Sequence, residues 1–282
     1  MSMRIVCALL DLVDTDTLLV QWEGAPRQVR LMDVQPEPAV AAARSPTHLG
    51  RRTLKWAREF LLENSSEVQV EFPSGRLEWS NSGRILAYVH TRGELYNARL
   101  IRDGRSPCFE KYGRPSIHRD AMERAELWAR REGLGIWGDA ARRDVYDRQK
   151  TWWRIRAGQV DDFRCLRAQG EDYFDCRLDY EGIVKHARAA ATIVIFADLV
   201  RPFHLSDGSI LIQLGSPHQP LSAYFPPAAR PLALFIEREF VGEGKPNFLY
   251  FDAPLVMAGD QPQITVERFE QISTCPPKVA AQ

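Results

Sequence analysis

Residues 82–89 read Ser-Gly-Arg-Ile-Leu-Ala-Tyr-Val, and this stretch decides the fold predicted for the first half of the chain. A Ser-Gly turn leads directly into apolar and aromatic residues, which is typical of a buried strand that follows a hairpin. We therefore predict a strand over residues 84–90. Its hairpin partner is predicted over residues 68–72.

Three strands are predicted upstream of this hairpin, over residues 4–10, 17–23 and 27–32. Polar residues and a Gly/Pro pair separate them, in Asp14-Thr15-Asp16 and in Glu-Gly-Ala-Pro at 23–26. Helical spacing of apolar residues predicts one helix over 49–63, between the third and fourth strands, and two more over 96–103 and 118–132. Three strands, a helix, two strands and then helices predict an α+β domain around a small closed barrel.

The balance of charges limits how the chain can meet an anion. It has 37 basic and 37 acidic side chains among 282 residues, so its formal net charge is zero. Anion binding must then be local, because no general excess of positive charge exists. The chain also lacks an apolar run of about 20 residues, the length needed to cross a bilayer. We expect a soluble, cytoplasmic protein without a membrane partner.

The pattern changes after Trp137-Gly138, where we place the first domain boundary. Residues 1–138 form the first predicted domain, 139–152 a charged helical connector, 153–274 a second β-rich domain and 275–282 a tail. Strands are predicted in the second domain over 163–168, 173–179, 191–196, 210–214, 248–251 and 263–266. Residues 232–241 fit either a strand or an amphipathic helix.

The cysteines and histidines do not predict a metal site. The five cysteines form no CxxC or Cys/His cluster, and the six histidines show no paired spacing such as HExxH. We expect free thiols and no disulfide framework.

The first domain resembles the staphylococcal nuclease family, also called thermonuclease-like, over nearly its whole length. Five stretches match motifs of that family in the right order, which are Leu12–Thr17 with V-x-D-G-D-T, Val29–Leu31 with V-R-L, Ser82–Val89 with Y-G-R-x-L-A-Y-V, Asn97–Gly104 with N-x-x-L-V-x-x-G, and Gly133–Trp137 with G-x-G-x-W. The resemblance implies a five-stranded OB-type β-barrel with three helices. It also implies calcium-dependent hydrolysis of phosphodiester bonds in DNA or RNA.

The resemblance assigns roles to particular residues. Arg30 and Arg84 fall on the positions that bind phosphate, where planar guanidinium forks stabilise the charge of the transition state. Asp16 falls on a calcium ligand, since hard cations prefer carboxylate oxygens. Glu37 is the nearest candidate to activate water. Tyr88 is a further predicted contact to nucleic acid.

The sequence departs from the family where a second metal aspartate is expected. The family continues its V-R-L strand, one residue on, with G-I-D-x-P-E, whereas residues 33–38 read Asp-Val-Gln-Pro-Glu-Pro. An ungapped alignment puts Gln35 at the aspartate and Pro38 at the glutamate. A one-residue deletion restores Glu37 but leaves Val34 or Gln35 at the aspartate. Asp33 is the predicted substitute ligand, and Asp14 is an alternative.

The second domain resembles nucleic-acid-binding OB-fold domains at its end. Residues 261–272 look like a closing strand, in which a G-x-P-Q-I-x-V run precedes a short tail. A hairpin over 160–178 is the predicted opening of this barrel.

Three functions therefore stay open. The first is a nuclease with impaired or full activity. The second is a non-catalytic module in which tandem barrels bind single-stranded nucleic acid or a protein partner, the latter through the C-terminal domain. The third is a structural scaffold, which predicts no affinity for single strands.

Overall fold

A computed structural model describes residues 2–41, 45–62, 66–110, 112–169, 173–242 and 244–277. The chain divides into two units: residues up to Ser80 together with Arg84–Trp153, and Asn81–Gly83 together with residues from Arg154 onward. Among the described residues, no helix combines the length and the apolar character needed to cross a membrane.

The first unit contains a closed five-stranded barrel. The elements up to the fourth helix are, in chain order, β1 (Met3–Asp14), β2 (Thr17–Trp22), β3 (Ala25–Leu31), α1 (His48–Leu62), β4 (Glu67–Phe72), β5 (Glu78–Trp79), β6 (Ile85–Thr91), β7 (Glu94–Leu95), α2 (Tyr96–Arg102), α3 (Arg119–Arg131) and α4 (Ala140–Ala168). The barrel strands follow the order β3-β2-β1-β4-β6, and β3 closes the ring by pairing parallel with β6. We call these five strands the first barrel. The predicted α+β barrel with following helices is confirmed.

Alternation of side chains explains why the first barrel has one core. Leu18 and Val20 of β2, Val29 and Leu31 of β3, and the apolar run of β6 are all buried in it. Residues of one parity in a strand point to one face, so these strands turn their apolar sides inward. Arg30 lies between two core residues and therefore points away from the interior.

Asn97 shows why one motif requires its particular residue. Asn97 is fully buried, accepts a hydrogen bond from the backbone N–H of Val89 and donates to the carbonyl of Met32. The side chain thus joins α2 to β6 and to the segment after β3. A buried amide is retained because both its donor and its acceptor are satisfied.

Two glycines allow the chain to approach itself closely after α2. Gly104 and Gly135 both have positive φ, and a Cβ on Gly135 would lie 2.0 Å from the carbonyl oxygen of Gly104. The N–H of Ile136 donates to that same carbonyl at 2.8 Å. Only glycine fits this contact, which anchors the short 3₁₀ turn Gly135–Trp137.

The second unit contains another set of strands with the same kind of connectivity. Its elements are β8 (Tyr173–Asp175), α5 (Tyr180–Arg188), β9 (Thr192–Asp198), β10 (Arg201–His204), β11 (Ile210–Gln213), β12 (Ser222–Phe225), α6 (Arg230–Phe240), β13 (Phe248–Ala258), β14 (Gln261–Thr265) and β15 (Ile272–Ser273). The strand order is β10-β11-β12-β14-β13-β9, with β8 outside β9 and β15 beside β13.

A bend joins β9 to β10, so the two act as one continuous strand. This strand pairs with the strands at both ends of the order and closes the ring. The N–H of Leu199 donates to Asn247 before β13, and the N–H of Val200 donates to Gln213 of β11. Residues 192–204 therefore pair with β13 in their first half and with β11 in their second half. We call this strand, with β11–β14, the second barrel. The OB-type order predicted for the C-terminal domain is present.

Three predictions for this region are wrong. Residues 163–168 were expected to form a strand but belong to α4, which extends far past the predicted connector and contributes to both units. Trp153, Ala157, Val160 and Phe163 are buried at intervals of three and four, as on one face of a helix. The predicted strand over 173–179 ends at Asp175, and α5 follows. The second barrel therefore opens at Thr192 and not with a hairpin at 160–178.

Candidate functional site

The turn between β1 and β2 supplies the acidic part of the candidate site. Thr15 donates its N–H to Asp14 Oδ1 at 2.7 Å, which fixes the turn. Asp16 and Thr17 are both buried, and the Thr17 hydroxyl donates to Asp16 Oδ1 at 2.8 Å. One carboxylate is therefore held in a fixed orientation at the start of β2.

Arg30 meets this carboxylate from the neighbouring strand. Arg30 lies opposite Thr17 in the β2–β3 ladder, and its guanidinium forms an ion pair with Asp16. A second guanidinium nitrogen donates to the carbonyl oxygen of Val34 at 3.4 Å. Two acceptors thus orient the guanidinium from different sides.

Arg84 reaches the same place from the residue that precedes β6. Its Nη1 donates to the Thr17 hydroxyl at 2.8 Å. Burial lowers the pKa of Arg84, while the charges of Tyr112 and Asp14 oppose that shift. The structure therefore brings Arg30, Arg84 and Asp16 together around the hydroxyl of Thr17.

Asp33 and Tyr88 are engaged with each other below the surface. Asp33 is only 4% exposed, and its Oδ2 accepts a hydrogen bond from the Tyr88 hydroxyl. Tyr88 is fully buried and also packs edge-to-face against His118. A fully buried ring presents no face to a base in this arrangement, so the contact of Tyr88 with nucleic acid stays a prediction.

Glu37 lies beside the acidic turn but directs its carboxylate elsewhere. Its carbonyl oxygen accepts from the Thr15 hydroxyl at 3.3 Å, while its Oε1 accepts from the Tyr146 hydroxyl at 2.8 Å. Tyr146 belongs to α4. Val34, one of the residues that the alignment placed at the second aspartate, is fully buried in the core.

Calcium, the ion that the resemblance implies, fits these residues poorly. Calcium takes about six to eight oxygen ligands and needs several carboxylates nearby. Asp16 is paired with Arg30, Asp33 accepts from Tyr88, and Glu37 accepts from Tyr146. Across the described ranges, neither Asp16 nor Asp33 belongs to a set of three acidic, histidine or cysteine groups close enough to share an ion.

Sequence reasoning missed two side chains at this site. Thr17 connects Arg84 to Asp16, and the Asp-Thr pair in the quoted turn motif already contained that signal. Tyr146 lies 109 residues from Glu37 in the sequence, and no local pattern connects them.

A separate cluster of titratable groups lies elsewhere in the first unit. His90 Nε2 lies 2.6 Å and His118 Nε2 lies 2.7 Å from Glu71 Oε2. Burial raises the pKa of Glu71, but hydrogen bonds from His118, Arg4 and His90 outweigh it and bring that pKa to about 2. Burial lowers the pKa of His90. The cluster was not predicted, because its members lie on three different elements.

Comparison with known proteins places part of the chain beside nucleases. The family model of the staphylococcal nuclease homologue matches residues 28–139, which is less than half of the chain. The thermonuclease of Staphylococcus intermedius is 26% identical over 125 residues, covering 44% of this chain and 71% of that protein. The thermonuclease of Staphylococcus hyicus is 24% identical over 132 residues, covering 46% of this chain and 75% of that protein. The SPbeta prophage-derived endonuclease YokF of Bacillus subtilis (strain 168) is 28% identical over 125 residues, covering 44% of this chain and 41% of that protein.

Proposed function

Because residues 28–139 are a staphylococcal nuclease-like segment, we propose that the chain binds the phosphates of DNA or RNA between Arg30 and Arg84 and hydrolyses phosphodiester bonds there. The observation that carries this proposal is the convergence of both guanidinium groups on Asp16 and Thr17. The nuclease names of the similar proteins support it.

The electrostatics of the site suit a phosphodiester. The phosphate oxygens gain negative charge in the transition state, and donors oriented beforehand stabilise that charge most effectively. Asp16 holds Arg30, and Thr17 holds Arg84, before any substrate arrives. Arg30 and Arg84 are therefore already oriented when the phosphate binds, so binding costs them little further rotational freedom.

Glu37 is the residue proposed to activate water. Its backbone contact with Thr15 places it beside the acidic turn. The carboxylate must leave Tyr146 or act while it accepts that hydrogen bond. A base must lie within hydrogen-bond reach of the attacking water in the substrate complex. Catalytic hydrogen bonds that are long in the free protein often shorten in that complex.

Calcium is part of this proposal only as the resemblance implies it. The resemblance makes Asp16 the ligand, but Asp16 is engaged in an ion pair with Arg30. Because the donor set fits calcium poorly, we expect cleavage to depend weakly on calcium and to fall below that of a site with two metal aspartates.

A specific observation favours a second function. Asp33, the substitute for the missing second aspartate, is buried and accepts from Tyr88, so the acids needed for a metal site are separated. The chain would then bind single-stranded nucleic acid, or a protein partner through its C-terminal domain, without cutting. If the partner is single-stranded nucleic acid, Arg30 and Arg84 would still bind its phosphates.

Cleavage of single-stranded DNA and RNA with and without calcium tests the first function. We expect Arg30→Ala and Arg84→Ala to lower the cleavage rate by about 100-fold or more. Arg27→Ala is the matched control, since Arg27 is an exposed arginine on the same strand as Arg30. Equal cleavage rates in the wild type and in both site variants would rule out the proposal that hydrolysis occurs at this site.

Binding measurements at rising salt separate the remaining functions. Phosphate contacts release counterions, so affinity for a single strand should fall steeply with salt and less steeply in Arg30→Ala. Salt-dependent binding without cleavage supports the second function. Absence of binding at low salt would leave a protein partner or the structural scaffold.

A further inference from the structure

Three side chains of the first unit, none of them among the predicted site residues, converge on one point. Glu71 comes from β4, His90 from β6, and His118 from the residue before α3. Both imidazoles direct Nε2 at the same carboxylate oxygen, Glu71 Oε2, at 2.6 and 2.7 Å. We propose that Glu71, His90 and His118 form a binding site for a divalent transition-metal ion, with Zn²⁺ as the fitting ion.

The types of ligand favour zinc. Two imidazole nitrogens and one carboxylate oxygen are a known protein ligand set for zinc, with a fourth position left for water. Imidazole suits transition metals, whereas calcium and magnesium prefer sites made of oxygen. This is the sole set of three candidate ligand groups found within the described ranges, and its ligand atoms lie within 4.8 Å of one another.

The spacing of the ligand atoms requires only a small movement. Zinc binds nitrogen at about 2.0–2.1 Å and carboxylate oxygen at about 2.0–2.2 Å, so tetrahedral ligands lie about 3.4 Å apart. The observed nitrogen-to-oxygen distances are 2.6 and 2.7 Å. Each imidazole therefore has to retreat from Glu71 by less than about 1 Å, a shift that side-chain torsions can supply.

The surroundings hold the three groups in this arrangement. Arg4 Nε lies 3.0 Å from Glu71 Oε1, which turns the other carboxylate oxygen toward the imidazoles. A metal-bound carboxylate commonly has such a partner in its outer shell. Tyr88 packs against His118 with ring centroids 5.2 Å apart and an interplanar angle of 87°.

The backbone conformation of His118 accompanies the direction of its side chain. Its φ is +62°, in a left-handed region that is uncommon outside glycine but that histidine adopts more often than most residues. Such conformations persist where the surroundings determine them and often mark functional positions. Here the conformation accompanies a side chain directed to Glu71 from the start of α3.

The site is shielded but still accessible to an ion. The side chain of Glu71 is 2% exposed, that of His90 12% and that of His118 22%. A metal can enter from the side of His118, where solvent still reaches the imidazole. A bound ion would connect β4, β6 and the beginning of α3, so we expect it to stabilise the first unit.

Calorimetric titration of the chelator-treated full chain with Zn²⁺ tests the site. We expect one equivalent to bind and the affinity to fall at least 10-fold in His90→Gln and in His118→Asn. Asparagine is chosen for position 118 because it tolerates positive φ, so the start of α3 keeps its backbone conformation. His204→Gln is the matched control, because His204 pairs with a single carboxylate, Glu237, on the surface.

Two results would overturn the site. One is the same Zn²⁺ affinity in the wild type, His90→Gln and His118→Asn. The other is no Zn²⁺ binding by the wild type. Should either variant fail to fold, X-ray absorption of the zinc-loaded wild type decides instead. Two imidazoles and a carboxylate in the coordination shell support the proposal, and any other shell contradicts it.

Discussion

In both barrels the third strand runs parallel to the last strand of the ring, and a helix joins the third strand to the fourth. The parallel pair is β3 with β6 in the first barrel and β12 with β14 in the second. The joining helices are α1 and α6. The two barrels thus share one connectivity, although the second carries its extra strands β8 and β15 outside the ring.

The same strand positions hold different chemistry in the two barrels. Aligning the ladders places Ile210, Tyr224 and Gln263 of the second barrel where the first has Asp16, Arg30 and Arg84. Ile210 is fully buried in the second core. Connectivity alone therefore does not make the proposed phosphate site, because that site depends on a few side chains at the strand ends.

Among the changes that test this comparison, Asp16→Asn gives the largest expected loss of activity. The substitution removes the charge that holds Arg30, so we expect cleavage to fall on the order of 100-fold while the fold persists. Rates under single-turnover conditions, together with the circular dichroism spectrum, provide the measurement. Asp11→Asn is the control, because Asp11 is an exposed acid of β1 whose carboxylate pairs with Arg58. A rate for Asp16→Asn equal to the wild type would mean that Asp16 has no role in the reaction.

Ile210→Ala changes the equivalent position of the second barrel and should act on stability instead. Loss of a fully buried isoleucine costs about 2–5 kcal/mol, because apolar contacts are lost and a cavity remains. Amide exchange in β11 and β12 should become faster, while exchange in β2 and β3 stays unchanged. Cleavage per folded molecule should also stay unchanged, and a large loss of activity would break the comparison.

Thr17→Val isolates the hydroxyl between Arg84 and Asp16. Valine keeps the shape but leaves the buried Arg84 donor without this acceptor, so we expect about a 10-fold loss of phosphate affinity. Thr17→Ser keeps the hydroxyl and should restore binding. Leu211 occupies the equivalent place in the second barrel. If Leu211→Ala weakened binding as much as Thr17→Val, the second barrel would share the phosphate-binding role.

The sequence was most informative where neighbouring residues determine structure. The alternation of Leu18 and Val20 with Leu19 and Gln21, together with the turn at Asp14–Asp16, predicts the hairpin that carries Asp16. The strand motifs bring Arg30 and Arg84 to it. The last strand of the second barrel was recognised for the same reason.

The failures have physical causes as well. Residues 163–168 mix apolar and charged side chains over a length typical of a strand, but the helical spacing of Trp153, Ala157 and Val160 continues through Phe163. The longer period prevailed because one face of α4 is buried along these residues. The Glu71, His90 and His118 cluster has no local spacing at all, since strand pairing and the start of α3 bring it together.

Tyr146→Phe is expected to have the smallest effect and to be the most selective. It removes one hydroxyl, which donates to Glu37 Oε1 at 2.8 Å, and keeps the ring that packs edge-on against Trp137. If Tyr146 holds Glu37 in position for water, cleavage should fall a few-fold with unchanged affinity for the substrate, since one neutral hydrogen bond contributes about 1 kcal/mol. If the hydroxyl instead draws Glu37 away from the acidic turn, cleavage should rise by a similar factor. The direction of the change separates these cases, and Glu37→Gln tests whether either effect acts through Glu37, because in that background the Tyr146→Phe change should no longer alter the rate. A Tyr146→Phe effect that persists in Glu37→Gln would show that Tyr146 acts through another group. The hydrogen bond between Tyr146 and Glu37 would then have no role in cleavage.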